Sequence, residues 1–284
     1  MDATGSDCVI RRMRREEFPL AIEWAGNEGW NPGMHDDDCF FAADPEGFIV
    51  AEVGDTPVGM ISMVCYDDRF AFAGLYMVKP EFRGRGCGMQ LYEAAIRRAG
   101  DRIVGGDAVV AMVDRYEART GLRFAYKNIR FEGSGSGEVP AGLVPVRRIP
   151  FGSLLEYDRR HFPASRARFL RCWISREGSE ALAVRDDEGN LRGYGVRRTC
   201  IRGHKIGPLF ADTPSIAEDL FRGLSAAVPS EPVFLDVPTA NMAALELAKR
   251  HGMTAVFETA RMYIGSAPTL PLEEIYGVTS FELG

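Results

Sequence analysis

The 284-residue sequence predicts an α+β protein made of two similar halves, each with a mixed sheet and flanking helices. Short runs of alternating apolar residues are typical of strands, and other runs have the spacing of amphipathic helices. The second half also repeats the element order of the first. An apolar content of 46% is enough to form cores in a chain of this length.

The first half is predicted to contain a strand, a helix, an irregular segment, a hairpin, a strand, a helix and a strand. These elements occupy residues 9–13, 16–25, 26–40, 47–66, 70–78, 89–99 and 102–110. The second half follows with a strand, two helices, a hairpin, a strand, a helix and a strand. They occupy residues 144–149, 154–157, 166–173, 180–199, 205–210, 215–224 and 232–237.

A segment of small residues, GSGSGEVPAG at 133–142, interrupts these patterns and is predicted to be a flexible linker. It divides the chain into residues 1–132 and residues 143–284.

Matched spacing supports a tandem repeat of one domain. The corresponding positions are Asp107 with Asp236, Gly121 with Gly252, Tyr126 with Phe257, and Arg130 with Arg261. The distance from each glycine to its arginine is nine residues in both halves. Chance similarity between two amphipathic halves is the alternative.

Composition excludes several classes of protein. The formal net charge of −6 argues against a nucleic-acid binder, and no apolar run is long enough to span a membrane or to serve as a signal segment. The six cysteines form no CxxC pair and the four histidines have no metal-like spacing, so we expect reduced thiols, no metal and a cytoplasmic setting.

The stretch KPEFRGRGCG, residues 79–88, places three glycines at alternate positions between a predicted strand and a predicted helix. A backbone this bare permits close approach of an anion to the helix N-terminus, and Arg83 and Arg85 add positive charge. The spacing fits neither a Rossmann fingerprint, which would need glycine at Met89, nor a Walker loop. A purely structural turn is the alternative.

Arg83-x-x-Gly86-x-Gly88 after a strand ending at Val78 resembles the pyrophosphate loop of the GNAT superfamily of acyl-CoA N-acyltransferases. The resemblance covers residues 9–133. The second half resembles the degenerate GNAT-like domain of a tandem subfamily, since IGPLFAD, DVPTAN and RMYIG match its recognisable parts.

The resemblance implies that acetyl-CoA is the cosubstrate and that a primary amine attacks its thioester directly in a ternary complex. Its phosphates would contact the loop, and its pantetheine would pair with the backbone of the preceding strand. The residues implied in cofactor binding are Met77, Val78, Arg83, Gly84, Arg85, Gly86, Cys87, Gly88 and Met89. The backbone N–H near Val78 would stabilise the oxyanion.

The resemblance also implies a tyrosine that protonates the leaving thiolate, in a Tyr-x-x-x-Gly-Phe segment. Tyr116 is the candidate here, although it lies five residues before Gly121 and leucine follows that glycine. Its alternative role is packing under the cofactor. Phe72 stands where some family members carry a glutamate base. Tyr76 is the second catalytic candidate, since it shares the strand parity of Phe72 and is expected to face the same side, nearer the thioester. A packed aromatic wall is its alternative role.

Glu28, Asp67, Asp68 and Asp107 are further candidates for proton removal through water. Asp107 has a second interpretation, as a residue that orients a neighbouring turn.

The acceptor is expected to enter at residues 26–40. Glu28, Trp30, Asp36 and Asp37, with Asp38, would attract a cationic amine, whereas helix-capping aspartates are the alternative. The second half has proline where the first has the glycine loop, so it should not bind coenzyme A. It either walls off the acceptor pocket or forms a homodimer surface. A non-catalytic acyl-CoA sensor and an interaction scaffold are the other functions left open.

Overall fold

The structure is a computed structural model that describes residues 8–284. Within this range the chain forms thirteen strands and eight α-helices. The strands are β1 (Cys8–Arg12), β2 (Phe48–Val53), β3 (Thr56–Cys65), β4 (Phe70–Val78), β5 (Ile103–Val109), β6 (Arg123–Ser134), β7 (Val144–Pro145), β8 (Ser179–Arg185), β9 (Leu191–Thr199), β10 (His204–Ala211), β11 (Pro232–Pro238), β12 (Thr254–Ile264) and β13 (Ile275–Gly277).

The helices flank the sheet formed by these strands. They are α1 (Phe18–Asn27), α2 (Asp36–Ala43), α3 (Cys87–Ala99), α4 (Val113–Thr120), α5 (Phe151–His161), α6 (Ala167–Trp173), α7 (Pro214–Ala226) and α8 (Met242–Arg250). No helix among residues 8–284 is both long and apolar enough to cross a membrane.

One continuous mixed sheet joins the two halves, which confirms the predicted fold class. Its order is β1-β2-β3-β4-β5-β12-β6-β11-β10-β9-β8-β7, and β13 pairs with β10. The pairs β4–β5 and β10–β11 are parallel, and the other strand pairs are antiparallel. The repeat is therefore visible in the topology, because each half contributes one parallel pair at the corresponding place.

The halves exchange strands at the centre of the sheet. Strand β12 of the second half lies between β5 and β6 of the first, and β6 in turn pairs with β11 of the second half. Gly133 and Ser134, the first two residues of the predicted linker, belong to β6 and pair with β11. The boundaries at 132 and 143 remain a prediction.

Two buried ion pairs lock the exchanged strands. Arg130 of β6 donates to Asp236 of β11 at 2.6 and 2.8 Å, and Arg261 of β12 donates to Asp107 of β5 at 2.9 and 2.8 Å. All four side chains are almost fully buried. The matched positions in the sequence therefore meet across the halves, arginine from one and aspartate from the other.

The structure corrects two sequence-based expectations and adds two strands that were not predicted. The predicted irregular segment 26–40 contains the start of α2, whose first turn carries three aspartates that favour a helix N-terminus. The predicted strand 144–149 shortens to β7, since a 3-10 turn follows at Val146–Arg148. Strands β6 and β12 were not predicted, although they form the centre of the sheet.

The expectation of reduced thiols is wrong for four cysteines. Cys8 is bonded to Cys87 with a Cα–Cα distance of 5.8 Å, and Cys39 to Cys172 with 5.3 Å. The partners are 79 and 133 residues apart in the sequence, so spacing motifs do not reveal them. The second bond joins α2 of the first half to α6 of the second.

Candidate acyl-CoA site

Strands β4 and β5 separate part of the way along their length. They pair in parallel from Phe70 with Ile103 to Ala73 with Gly106, after which β5 continues beside β12. From Gly74 to Val78, the β5-facing edge of β4 is unpaired within the described residues. Backbone groups on such an edge are available to an extended ligand, as in strand addition.

A bulge marks the point where the strands separate. Leu75 has a φ of +47°, which is uncommon for a residue with a side chain, and the register with β3 shifts at this point. Leu75 and Met77 then pack in the core cluster that contains Phe18 and Trp24 of α1. The open edge thus leads from the centre of the sheet toward the loop before α3.

The N-terminus of α3 has no side-chain cap. Its N-cap is Gly86, with a φ of +89°, and helix geometry leaves the N–H groups of Cys87, Gly88 and Met89 without intrahelical acceptors. The helix dipole adds partial positive charge at the same point. These N–H groups form an anion-binding arrangement at the end of the open edge.

The three loop glycines have different structural roles. Gly84 and Gly86 have φ values of +78° and +89°, which favour glycine. Gly88 has an ordinary backbone, but an added Cβ would lie 2.8 Å from the Tyr76 hydroxyl oxygen and 3.4 Å from a Val78 methyl carbon. Gly88 therefore allows α3 to pack closely on β4.

The basic side chains near the loop are held in different ways. Arg83 donates from Nε to the Val78 carbonyl and from Nη2 to Glu28, both at 2.8 Å. Arg85 is exposed, with its guanidinium 5.1 Å from the Phe82 ring centre. Lys79, not singled out from the sequence, lies 5.0 Å from the Trp24 ring centre. Arg83 thus orients the loop against α1, and Arg85 remains accessible to a phosphate.

Cys87 contributes backbone rather than side chain to this arrangement. Its thiol sulfur is bonded to Cys8 and the residue is 1% exposed. Met89 is 42% exposed at the first turn of the helix.

The corresponding place in the second half is closed. Strand β10 pairs with β11 only to Ile206, and β13 then occupies that edge, opposite Leu209 and Phe210. At α7, the Thr213 side chain accepts from the Ile216 N–H, and Pro214 at the first helical position has no N–H. At these two matching places in the described chain, the open edge and the uncapped helix therefore occur together only in the first half, at β4 and α3.

Tyr116 lies beside the open edge, on the α3 side of the sheet. Its ring centre is 6.4 Å from that of Tyr76, and it packs with Ala108 and Met262. Burial raises the pKa of Tyr116 to about 12. Its phenol therefore keeps its proton near neutral pH, as a proton donor must.

The expectation that Tyr76 and Phe72 face the same side is wrong. Phe72 contacts Gly284 and the Arg261 guanidinium, whereas the Tyr76 hydroxyl donates to the Gly88 carbonyl of α3 at 2.7 Å. The bulge at Leu75 reverses the alternation between them. Burial also raises the pKa of Tyr76, and its hydrogen bond to Gly88 holds α3 against β4.

The acidic segment does not form an open acidic surface. Asp36 is fully buried, where it pairs with Arg176 and Arg198 and accepts from the Gly33 N–H. Burial alone would raise the pKa of Asp36, but these two arginines lower it to about 2.

The remaining residues of that segment are also engaged. Glu28 pairs with Arg83, and Asp37 and Asp38 pair with Arg15. Trp30 is half-buried, and its carbonyl accepts from Arg130. The structure therefore does not bring Glu28, Trp30, Asp36 and Asp37 together around one site. The arginine partners could not be assigned from the sequence, because two of them lie in the other half.

The other acidic candidates are accounted for by structural contacts. Asp107 is held by Arg261 and also accepts from Asn128 at 2.9 Å. Asp67 accepts from the N–H groups of Arg69 and Phe70, closing the turn before β4. Asp68 is highly exposed and lies near Arg69. The contacts of these three carboxylates thus lie away from residues 74–78 of the open edge.

The C-terminal segment, residues 278–284, was not predicted to lie near the site. It is buried and crosses the β4–β5 junction, where an added Cβ at Gly74 would lie 2.0 Å from the Glu282 carbonyl oxygen. Tyr66 donates to the Leu283 carbonyl at 2.8 Å, and Arg166 donates to that of Gly284 at 3.3 Å. Gly74 in the middle of an apolar strand was the available signal.

Two family models match the chain in tandem. The GNAT acetyltransferase family matches residues 9–127, and a second GNAT acetyltransferase domain matches residues 154–277. A protein named holothin acyltransferase, from Pseudoalteromonas sp. (strain SANK 73390), is 32% identical over 272 residues, covering 95% of this chain and 92% of the relative. The chain belongs to the GNAT acyltransferase superfamily. It is a tandem GNAT protein and an acyltransferase.

Solved structures have the same fold. A putative acetyltransferase from Pyrococcus horikoshii aligns with a TM-score of 0.83 and 24% identity, covering 100% of this chain and 98% of that chain. A tandem GNAT protein from the clavulanic acid biosynthesis pathway, solved without acetyl-CoA, aligns with a TM-score of 0.59 and 15% identity over 92% of this chain and 100% of that chain. The predicted tandem GNAT architecture is confirmed.

Proposed function

We propose that this tandem GNAT protein transfers an acetyl group from acetyl-CoA to a primary amine in a ternary complex. The observation that carries the proposal is the unpaired edge of β4 from Gly74 to Val78, which leads to the uncapped N-terminus of α3. Pantetheine pairs with this edge as an added strand, and the coenzyme A phosphates receive hydrogen bonds from the loop N–H groups.

The acetyl-CoA contacts use mainly the backbone of the predicted cofactor residues. Val78 presents the strand edge, and Met77 before it pairs with Met60 of β3. Gly84 and Gly86 permit the loop conformation. Arg85 adds charge near the phosphates, and the N–H groups of residues 87–89 point to them from the first turn of α3.

In the reaction, the amine nitrogen attacks the thioester carbonyl carbon and forms the C–N bond. The carbonyl oxygen becomes an oxyanion, which a backbone N–H of the open edge near Val78 stabilises. Collapse of the tetrahedral intermediate breaks the C–S bond, and the sulfur takes a proton from the Tyr116 hydroxyl. The nitrogen loses one proton to solvent, and the Tyr116 phenolate takes one proton back from solvent, which restores the enzyme and leaves no net change in protons.

The second half does not bind coenzyme A in this proposal. Strand β13 occupies the edge that the cofactor would need, and α7 has its own side-chain cap. Its role is to complete the central sheet and to place residues such as Phe234 and Phe257 beside the end of α1.

The test is turnover of acetyl-CoA with a panel of primary amines, measured as release of free coenzyme A thiol and as mass of the acetylated product. Holothin belongs in the panel because of the relative's name. Acetylation of an amine supports the proposal. Acetyl-CoA binding without turnover across the panel would favour the alternative, a non-catalytic acyl-CoA sensor, and failure to bind would favour a scaffold.

A further inference from the structure

A cavity of about 310 Å³ lies between the two halves, beside the end of α1. The first half lines it with Gly29 and Asn31, and the second half with Ile201, Phe234, Val256 and Phe257. The volume falls at the lower end of the range of small-molecule sites. Ile201 and Val256 are 53% and 48% exposed, so apolar side chains stand at its entrance.

The cavity contains charged residues but little uncompensated charge. Arg130, with 3% of its side chain exposed, is held by Asp236 and donates from Nη1 to the Trp30 carbonyl at 2.6 Å. Arg202 donates to Glu132 at 2.7 Å. Each arginine in the lining therefore carries its own carboxylate partner, and the lining has no unpaired carboxylate to hold a cation.

The cavity is linked to the proposed acyl site through α1 and the C-terminal segment. Gly26 lines the cavity from α1, and Trp24 of the same helix lies against Lys79. Phe281 has its ring centre 4.8 Å from the Arg130 guanidinium and belongs to the same core cluster as Leu75 and Met77. Phe257, which lines the cavity, packs against this same cluster, so the cavity wall and the open edge of β4 share one core.

We infer that this cavity binds the acceptor, and that the acceptor is an amine with an uncharged, flat or apolar body. The inference rests on the proposed function. Apolar and aromatic walls stabilise such a body, and a second ammonium group would be desolvated without a carboxylate partner. The same environment favours the neutral form of the reacting amine, which is its nucleophilic form. This preference is opposite to that expected from the acidic segment.

The experiment compares amine pairs that differ by one ammonium group. Benzylamine is paired with para-xylylenediamine, and hexylamine with 1,6-diaminohexane, at fixed saturating acetyl-CoA. The inference predicts that kcat/KM is higher for the monoamine of each pair by about tenfold. Equal values, or a preference for the diamines, would overturn it.

Two variants and a control localise the effect. Ile201→Glu places a carboxylate at the entrance and should narrow or reverse the monoamine preference. Val256→Trp should lower kcat/KM for benzylamine about tenfold by filling the cavity. Met242→Trp changes a side chain that is 65% exposed at the start of α8, outside the lining, and should have no effect.

The affinity for acetyl-CoA is measured for each variant and should match that of the wild type. Amine acetylation that is unchanged in both cavity variants would refute the inference while leaving the proposed function intact. No acetylation of any amine by wild-type protein that binds acetyl-CoA would refute the proposed function itself.

Discussion

Gly86→Val should abolish tight binding of acetyl-CoA. Gly86 is the N-cap of α3, at a φ of +89°, and it leaves the N–H groups of the first turn uncovered. A β-branched side chain at this position occupies the space that the pyrophosphate needs. If two charge-assisted hydrogen bonds are lost at about 1.5 kcal/mol each, binding weakens by about 3 kcal/mol, or roughly 150-fold in Kd.

The same substitution also strains the backbone, so the control must share that strain. The control is Gly54→Val. Gly54 has a φ of +59° in the turn between β2 and β3, and an added Cβ there would meet nothing within 4 Å. Isothermal titration with acetyl-CoA is compared for both variants after their folding is checked by circular dichroism. A folded Gly86→Val protein whose Kd lies within about threefold of the wild type would refute the anion-site reasoning.

Three further results are expected. Tyr116→Phe should lower kcat by about 100-fold with little change in acetyl-CoA affinity. Because burial raises the pKa of Tyr116 to about 12, the loss should be uniform from pH 6 to 9, and an unchanged kcat would reduce Tyr116 to a packing role. Asp36 has a folded pKa of about 2, below its usual value of 3.8, so its stabilisation is present above pH 4 and is lost as the pH falls toward 2. Asp36→Asn should remove about 2 kcal/mol of that acid-dependent stability, and an unchanged slope of Tm against pH between 4 and 2 would contradict this. Arg261→Met leaves Asp107 buried without its partner and should cost about 3–5 kcal/mol, which Arg261→Met with Asp107→Leu should largely restore. Denaturant unfolding measures both, and a double variant no more stable than the single one would contradict the pairing argument.

Much of the fold could be predicted from the sequence because each half repeats the same order of strand-like and helix-like apolar patterns. Alternation identified β2 to β5. The apolar spacing of Leu91, Ala94, Ala95 and Ile96 predicted α3, in which Leu91 and Ala95 are buried. The matched positions of Arg130 and Arg261 also indicated equivalent elements. Their partners were not predictable, because strand exchange pairs each arginine with the aspartate of the other half.

The site was predictable where it depends on backbone and not where it depends on long-range contacts. The spacing of Gly84 and Gly86 identified the loop, since positive φ leaves a signature in residue type. The bulge at Leu75 has no such signature, so the side faced by Tyr76 was predicted wrongly. The burial of Asp36 depends on Arg176 and Arg198, which lie more than a hundred residues away.

Hydrogen–deuterium exchange with and without acetyl-CoA, combined with the binding stoichiometry, tests where coenzyme A binds and how many molecules bind per chain. The claim is that one coenzyme A binds per chain, on the open edge of β4 and the N-terminus of α3. We expect one site per chain, with protection of residues 74–90 and none at residues 204–216 of the second half. Two sites per chain, or protection at β10 and α7, would contradict it.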